Sequence, residues 1–352
     1  MEEFAFNESA VRCRASMIAI LGCLLFSGAL SATQLQDPNE AYIRGKAALD
    51  SKSYADAADA LLQAEAKAPG TTNALALRAK ALIHLTQYEQ AEYCLREYLK
   101  KHPRSADATF LLGYVLFRRN QPRESLAIYT AAAALQRPAA EDFKTVGLDY
   151  VLLNDYSDAV RWLERSVAEA PNDAEGFYYL GRAYYVQNFF DKAIAAFEQA
   201  LRLNPRYAKA QNNRGLALAG KNQPDLAEAA YRKAIQMGRE SGKESEQPYI
   251  NLAELLSQRN REIEALRLLE TAEQIAGKSD RTEEVRGRIL LSQNRLGEAE
   301  AAFRDAIARK PGSGPLHYLL GRVLKREGKS GDAEKEFAQT KALLGAHSSL
   351  PD

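Results

Sequence analysis

Cysteine and histidine are scarce: three and four among 352 residues. Too few thiols are present for a disulfide scaffold, and too few ligands for a zinc ribbon. His84, His102, His317 and His347 share no metal-ligand spacing, and Cys94 is read as a small packed side chain rather than a reactive thiol. Neither charge dominates: 47 Lys+Arg against 46 Asp+Glu leave a net charge of +1. There is thus no global electrostatic case for nucleic acid. The motifs G-x-x-x-x-G-K-[ST], G-x-S-x-G and H-E-x-x-H are all missing. No enzyme activity, cofactor or metal is expected.

Long apolar runs are missing too, with one exception. Residues 15–32, ASMIAILGCLLFSGALSA, carry no charge and follow Arg12 and Arg14. Small residues close the run, as at a signal-peptide cleavage site. Eighteen residues also suffice for a signal anchor, with the arginines holding the N-terminus on the cytoplasmic side. A buried structural helix and a lipoprotein box at Cys23 are weaker readings. An exported protein is expected, either periplasmic or extracytoplasmic, or membrane-anchored through this segment alone.

The remaining chain is periodic. Pro69, Pro103, Pro171, Pro205 and Pro311 set a 34-residue unit when each is placed at position 32. Units then begin at 38, 72, 106, 140, 174 and 208, and after a four-residue insertion at 246, 280 and 314. Position 8 is Gly or Ala in all nine units, and position 20 is Ala in eight and Ser125 in the third. Position 24 is always Leu, Phe or Tyr. Apolar positions 4, 7, 8 and 11 share one face of a first helix, and 20, 24 and 27 share one face of a second. Small residues at 8 and 20 allow close approach of the two helices, and proline at 32 ends the second. Each pair leaves an apolar face that the next unit must cover, which makes an all-α solenoid. The domain reading is a leader at 1–32, a linker at 33–37, units one to six at 38–241, an insertion at 242–245, units seven to nine at 246–347 and a tail at 348–352. The insertion is either a longer loop between intact units or a hinge.

This pattern resembles the tetratricopeptide repeat family. In the fifth unit Phe177, Leu180, Gly181, Tyr184, Ala193, Phe197, Ala200 and Pro205 fall on the family's consensus positions. The resemblance implies a right-handed superhelix whose first helices face a concave groove. It also implies a scaffold that binds proteins or peptides. Units three, six, seven and nine depart from it by lacking the proline, and four units carry Arg at position 7: Arg44, Arg78, Arg214 and Arg286.

Positions 2, 5, 9 and 12 of each first helix lie opposite the packed face and are expected in the groove. They hold Phe110, Tyr114 and Phe117 in unit three, Lys144 in unit four, and Tyr178, Arg182 and Tyr185 in unit five. Tyr42, Lys46, Lys80, Tyr318, Arg322 and Lys325 extend the columns toward both ends. Aromatics beside cations suit an extended partner with apolar and acidic side chains. The competing reading is that these rings pack between neighbouring first helices. Asn213 and Asn251 occupy position 6, where some family members bind peptide backbone. Of a carboxylate clamp known in the family, Lys144 and Lys209 match; Leu148, Tyr179 and Asn213 do not. The expected function is a non-catalytic scaffold in a cell-envelope assembly or export system, with a protein partner and no nucleic acid. The alternative is a self-associating solenoid joined through its array ends, since the last helix has no following unit to cover Ala338, Ala342 and Leu343.

Overall fold

A computed structural model describes residues 38–70 and 73–347; the apolar segment at 15–32 lies outside them. The described residues form eighteen α-helices and no strand. They pair as units: α1 (Pro38–Asp50) with α2 (Tyr54–Lys67), α3 (Ala74–His84) with α4 (Tyr88–Lys101), α5 (Ala106–Arg118) with α6 (Pro122–Leu135), and α7 (Ala140–Leu152) with α8 (Tyr156–Glu169). The chain then continues with α9 (Ala174–Val186) and α10 (Phe190–Leu203), α11 (Ala208–Gly220) and α12 (Pro224–Ser241), and α13 (Gln247–Gln258) and α14 (Glu262–Ala276). The last pairs are α15 (Asp280–Ser292) with α16 (Leu296–Arg309), and α17 (Gly314–Arg326) with α18 (Ser330–His347). Every helix pair falls within its predicted unit. Each of the five register prolines stands two residues beyond the end of a second helix.

The turn inside each unit is the same nine times. Position 15 is left-handed at Lys52, Thr86, Asn120, Asn154, Asn188, Asn222, Asn260, Asn294 and Gly328. Its N–H bonds the carbonyl of position 12, and the N–H of position 16 bonds that of position 11, as in Asn120 to Phe117 and Gln121 to Leu116. These bonds satisfy carbonyls that the helix end would leave open. Asparagine suits the site because it tolerates this conformation better than other residues with a Cβ.

Position 8 lies against position 24. A Cβ on Gly181 would stand 2.6 Å from the Phe197 ring, on Gly215 2.6 Å from Tyr231, and on Gly287 2.7 Å from Phe303. All five aromatic residues at position 24 oppose glycine, and the two units with alanine, Ala79 and Ala253, place Leu95 and Leu269 there.

The chain divides after Glu169 into two compact bodies. In the first, α1, α3, α5 and α7 touch in sequence; in the second, α9, α11, α13, α15 and α17 do the same. Among the described residues no two second helices pack backbone against backbone; only long side chains span them, as in the ion pairs Arg96 with Glu124 and Arg232 with Glu264. First helices therefore form the closely packed inner layer of each body. The insertion at 242–245 lies inside the second body. One apolar cluster runs past it from Leu218 and Tyr231 through Tyr249 and Ile250 to Ile289. Arg239 Nε donates to Tyr249 Oη and Glu244 Oε1, both at 3.0 Å, and Tyr249 donates to Glu244 at 2.7 Å.

Candidate functional site

In the first body the first helix α5 carries an aromatic and cationic face that extends to Tyr88, at the start of the second helix α4. The Arg118 guanidinium lies 4.6 Å from the Tyr88 ring centroid and 5.8 Å from that of Tyr114, and Nη1 donates to the Tyr114 hydroxyl at 2.8 Å. Tyr114 and Phe117 are partly exposed, with ring centroids 6.5 Å apart. Burial raises the Tyr88 hydroxyl pKa, and Arg118 opposes that shift. Lys46 and Lys80, at position 9 of units one and two, are exposed on the inner layer. Tyr42 donates to Asn73 at 2.5 Å.

Two residues expected to be exposed here are buried. Phe110 is 9% exposed and packs on Tyr129, 6.0 Å away, within a cluster that includes Ala132 and Val146. Lys144 is 7% exposed and reaches Glu141 at 3.0 Å. For Phe110 the reason is the spacing of first helices: position 5 is exposed on an isolated helix pair, but the next first helix, α7, closes over Phe110 with Val146.

The second body shows the same effect. Tyr178 is 8% exposed, with its ring 5.0 Å from Tyr207 and 6.2 Å from Phe197. Burial raises its hydroxyl pKa; Arg182, 5.8 Å from the ring, and Asn213 oppose the shift. A side-chain relay crosses three first helices. Asn251 donates to Asn212 at 3.0 Å, Asn212 to Asn213 at 3.2 Å, and Asn213 to the Tyr178 oxygen at 3.5 Å. Asn213 and Asn251, singled out separately by position, are thus tied through Asn212. Tyr185 is partly buried, and Glu254 and Arg281 act on its hydroxyl. Arg281 bonds Glu254 at 2.6 Å and Glu284 at 3.2 Å, and Arg288 bonds Glu284 at 2.6 Å. The polar groups of α13 and α15 are therefore engaged with one another. At α17, Tyr318 is 49% exposed, and Arg322 and Lys325 are exposed beside it.

The position-7 arginines each bond a residue of a second helix. Arg44 reaches Gln63 at 2.6 Å, Arg78 reaches Cys94 Sγ at 3.4 Å, Arg214 reaches Glu198 at 2.9 Å, and Arg286 reaches Glu273. Burial raises the Cys94 thiol pKa, and Arg78 opposes the shift. Three histidines meet neighbouring groups of the fold. His84 stacks on Tyr54, His102 stacks on Tyr98, and His317 bonds Glu336 at 2.6 Å and the Pro311 carbonyl at 3.0 Å. Among the described residues no three His, Cys, Asp or Glu side chains gather as a metal site. No described helix is long and apolar enough to cross a membrane.

A family profile described as tetratricopeptide repeat matches residues 76–141, 147–188, 178–242 and 285–343. No curated protein sequence matches at a significant level. Among solved structures, a tetratricopeptide repeat protein from Parabacteroides merdae aligns with TM-score 0.59 and 18% identity, over 71% of this chain and 97% of its own. The C-terminal part of a TPR repeat-containing protein from Cytophaga hutchinsonii aligns with TM-score 0.55 and 20% identity, over 69% and 98%. At such identities the likeness concerns the fold.

Proposed function

This chain belongs to the tetratricopeptide repeat family, and from that premise we propose a non-catalytic scaffold that holds an extended partner segment on the inner layer of its first body. The observation that carries this reading is Arg118, fixed between Tyr88 and Tyr114 with Phe117 adjoining. A preoriented guanidinium receives a carboxylate with little ordering cost, and partly exposed rings receive apolar side chains. Lys46 and Lys80 favour further acidic groups. The partner is an acidic, apolar peptide segment. In the second body, Arg182, Tyr185, Asn213 and Asn251 are the groups that would meet a segment, with Tyr178 beneath Arg182 and Asn213.

The test uses acidic and scrambled neutral peptides with aromatic residues, titrated against the wild type and Arg118→Ala. The acidic peptide should bind more tightly, and Arg118→Ala should weaken it about tenfold without moving the melting temperature. Equal binding of both peptides, or a melting temperature that falls together with binding, would overturn the reading.

The uncharged segment at 15–32 behind two arginines supports export or membrane anchoring, and with it a role in an envelope assembly or export system. Fractionation and N-terminal sequencing of the mature protein test this; a cytosolic chain with an intact N-terminus would refute it. A second reading, head-to-tail self-association, rests on the array ends. Ile43 on α1 is 58% exposed, and Tyr318 and Leu344 at the other end are 49% and 57% exposed. Phe110 and Tyr178, at position 5, each meet the following first helix, at Val146 and Asn213, so α1 of a second copy would extend the chain's own unit-to-unit packing. Sedimentation across concentration decides; a monomer throughout removes this reading.

A further inference from the structure

Two columns of the repeat each break once, and the two exceptions touch. Position 20 is alanine in eight units and Ser125 in unit three. Position 10 is Ala, Val, Leu or Ile in eight units and Asp149 in unit four. Asp149 Oδ2 lies 2.5 Å from Ser125 Oγ, and Ser125 Oγ lies 2.9 Å from the Gly113 carbonyl. Both side chains are fully buried at 0% exposure. We propose that Asp149 makes the junction of units three and four a pH-responsive joint: its carboxyl carries a proton in the packed array, and ionisation loosens α7 from α5 and α6.

The proton count supports this. Ser125 has one hydroxyl hydrogen and two acceptors within reach. If it donates to Gly113, the short contact to Asp149 requires the carboxyl to donate in turn. Among the described residues Asp149 Oδ1 has no hydrogen-bond partner, and no cation is among the groups that shift its carboxyl. A buried carboxylate without a cation or a full set of donors is costly, so the neutral form is favoured. Burial accordingly raises this pKa to about 7, against the opposing hydrogen bond from Ser125.

The surrounding groups do not neutralise it. From α6, Tyr129 couples to it, with its own hydroxyl pKa raised by burial; Tyr114 of α5 couples to Tyr129. On α5, Arg118 is held by Tyr114, and Asp107 adds a carboxyl. Arg119, following α5, bonds Glu89 and Glu92. On α6, Arg123 is exposed, and Glu124 pairs with Arg96. On α8, Arg161 pairs with Asp158, Arg165 lies over Phe143, and Glu169 pairs with Arg137; Glu164 adds a carboxyl. On α7 itself Lys144 pairs with Glu141, and Asp142 caps the Ala139 N–H.

The folded pKa is raised above the unfolded value, so the neutral pair's stability is fully present below pH ~4 and lost as pH rises toward about 7. The test compares denaturant unfolding of the full chain as wild type, Asp149→Asn and Ser125→Ala between pH 4 and 8.5. The amide introduced by Asp149→Asn keeps a donor to Ser125 without titrating. The wild-type unfolding constant, divided by that of Asp149→Asn, should rise by up to about tenfold per pH unit through this window and then level off. Ser125→Ala should move the levelling point upward, because the hydroxyl favours the charged form. A ratio that does not change with pH overturns the proposal. So does an Asp149→Asn chain that is unfolded throughout while Ser125→Ala titrates as wild type.

Discussion

Gly181 has no room for a side chain, and the same constraint decides a residue choice in most units. Its Cβ would stand 2.6 Å from the Phe197 ring. Gly181→Ala should therefore destabilise by about 1–3 kcal/mol through overpacking, outweighing the roughly 1 kcal/mol that alanine gains in a helix. Gly147→Ala, opposite the flexible Leu163, should cost less, and Phe197→Leu should rescue Gly181→Ala. Melting of the three variants checks this pairing. The pairing of positions 8 and 24 was legible as two columns, one small and one large, though their contact was not. Position 5 was the harder case. Phe110, Lys144 and Tyr178 belong to the outward face of an isolated helix, so pattern alone exposes them. The burial of Phe110 and Tyr178 depends on how closely the next first helix approaches, which no single unit encodes.

Each helix pair is held by features that the hydrophobic pattern does not register. The left-handed residue at position 15 is asparagine in six of nine units. That column was readable, but a polar residue in a turn attracts no notice beside the apolar stripes. Asn222→Ala should cost about 1 kcal/mol, and Asn222→Gly should be neutral or stabilising, measured by urea midpoints. A second column joins successive units on the outer edge. Glu92, Glu228 and Glu300 at position 21 each pair with Arg at position 25 and with a cation from the next unit: Arg119, Arg259 and Arg261, or Lys329. Hydrogen bonding to Lys329 leads the causes that lower Glu300 to about 2. A depressed carboxyl stabilises above its unfolded pKa and loses that contribution as pH falls from about 4.3 toward 2. Glu300→Gln should flatten that acid limb, and Glu228→Gln should cost about 1 kcal/mol, less at high salt. Acid titration of melting temperature at two ionic strengths checks both.

For the whole molecule, a stack of neighbour contacts replaces a single core. One period recurring nine times makes the units countable in the sequence. It does not show that the chain divides after Glu169, since the columns continue unbroken through that point. Unfolding should therefore depart from two-state behaviour, with hydrogen exchange in residues 38–169 and 170–347 reporting different opening energies; one common value throughout would refute this. Near-identical units bring a hazard of their own, because any second helix offers a similar seat to any first helix. Ser125 and Asp149 act as an address in that setting. Unit four seated on any other unit would bury its carboxyl against alanine, and unit three joined to any other successor would leave its hydroxyl facing a hydrocarbon. An array with Ser125→Ala and Asp149→Leu should lose that address while keeping its fold, and refold with more swapped dimer at high concentration.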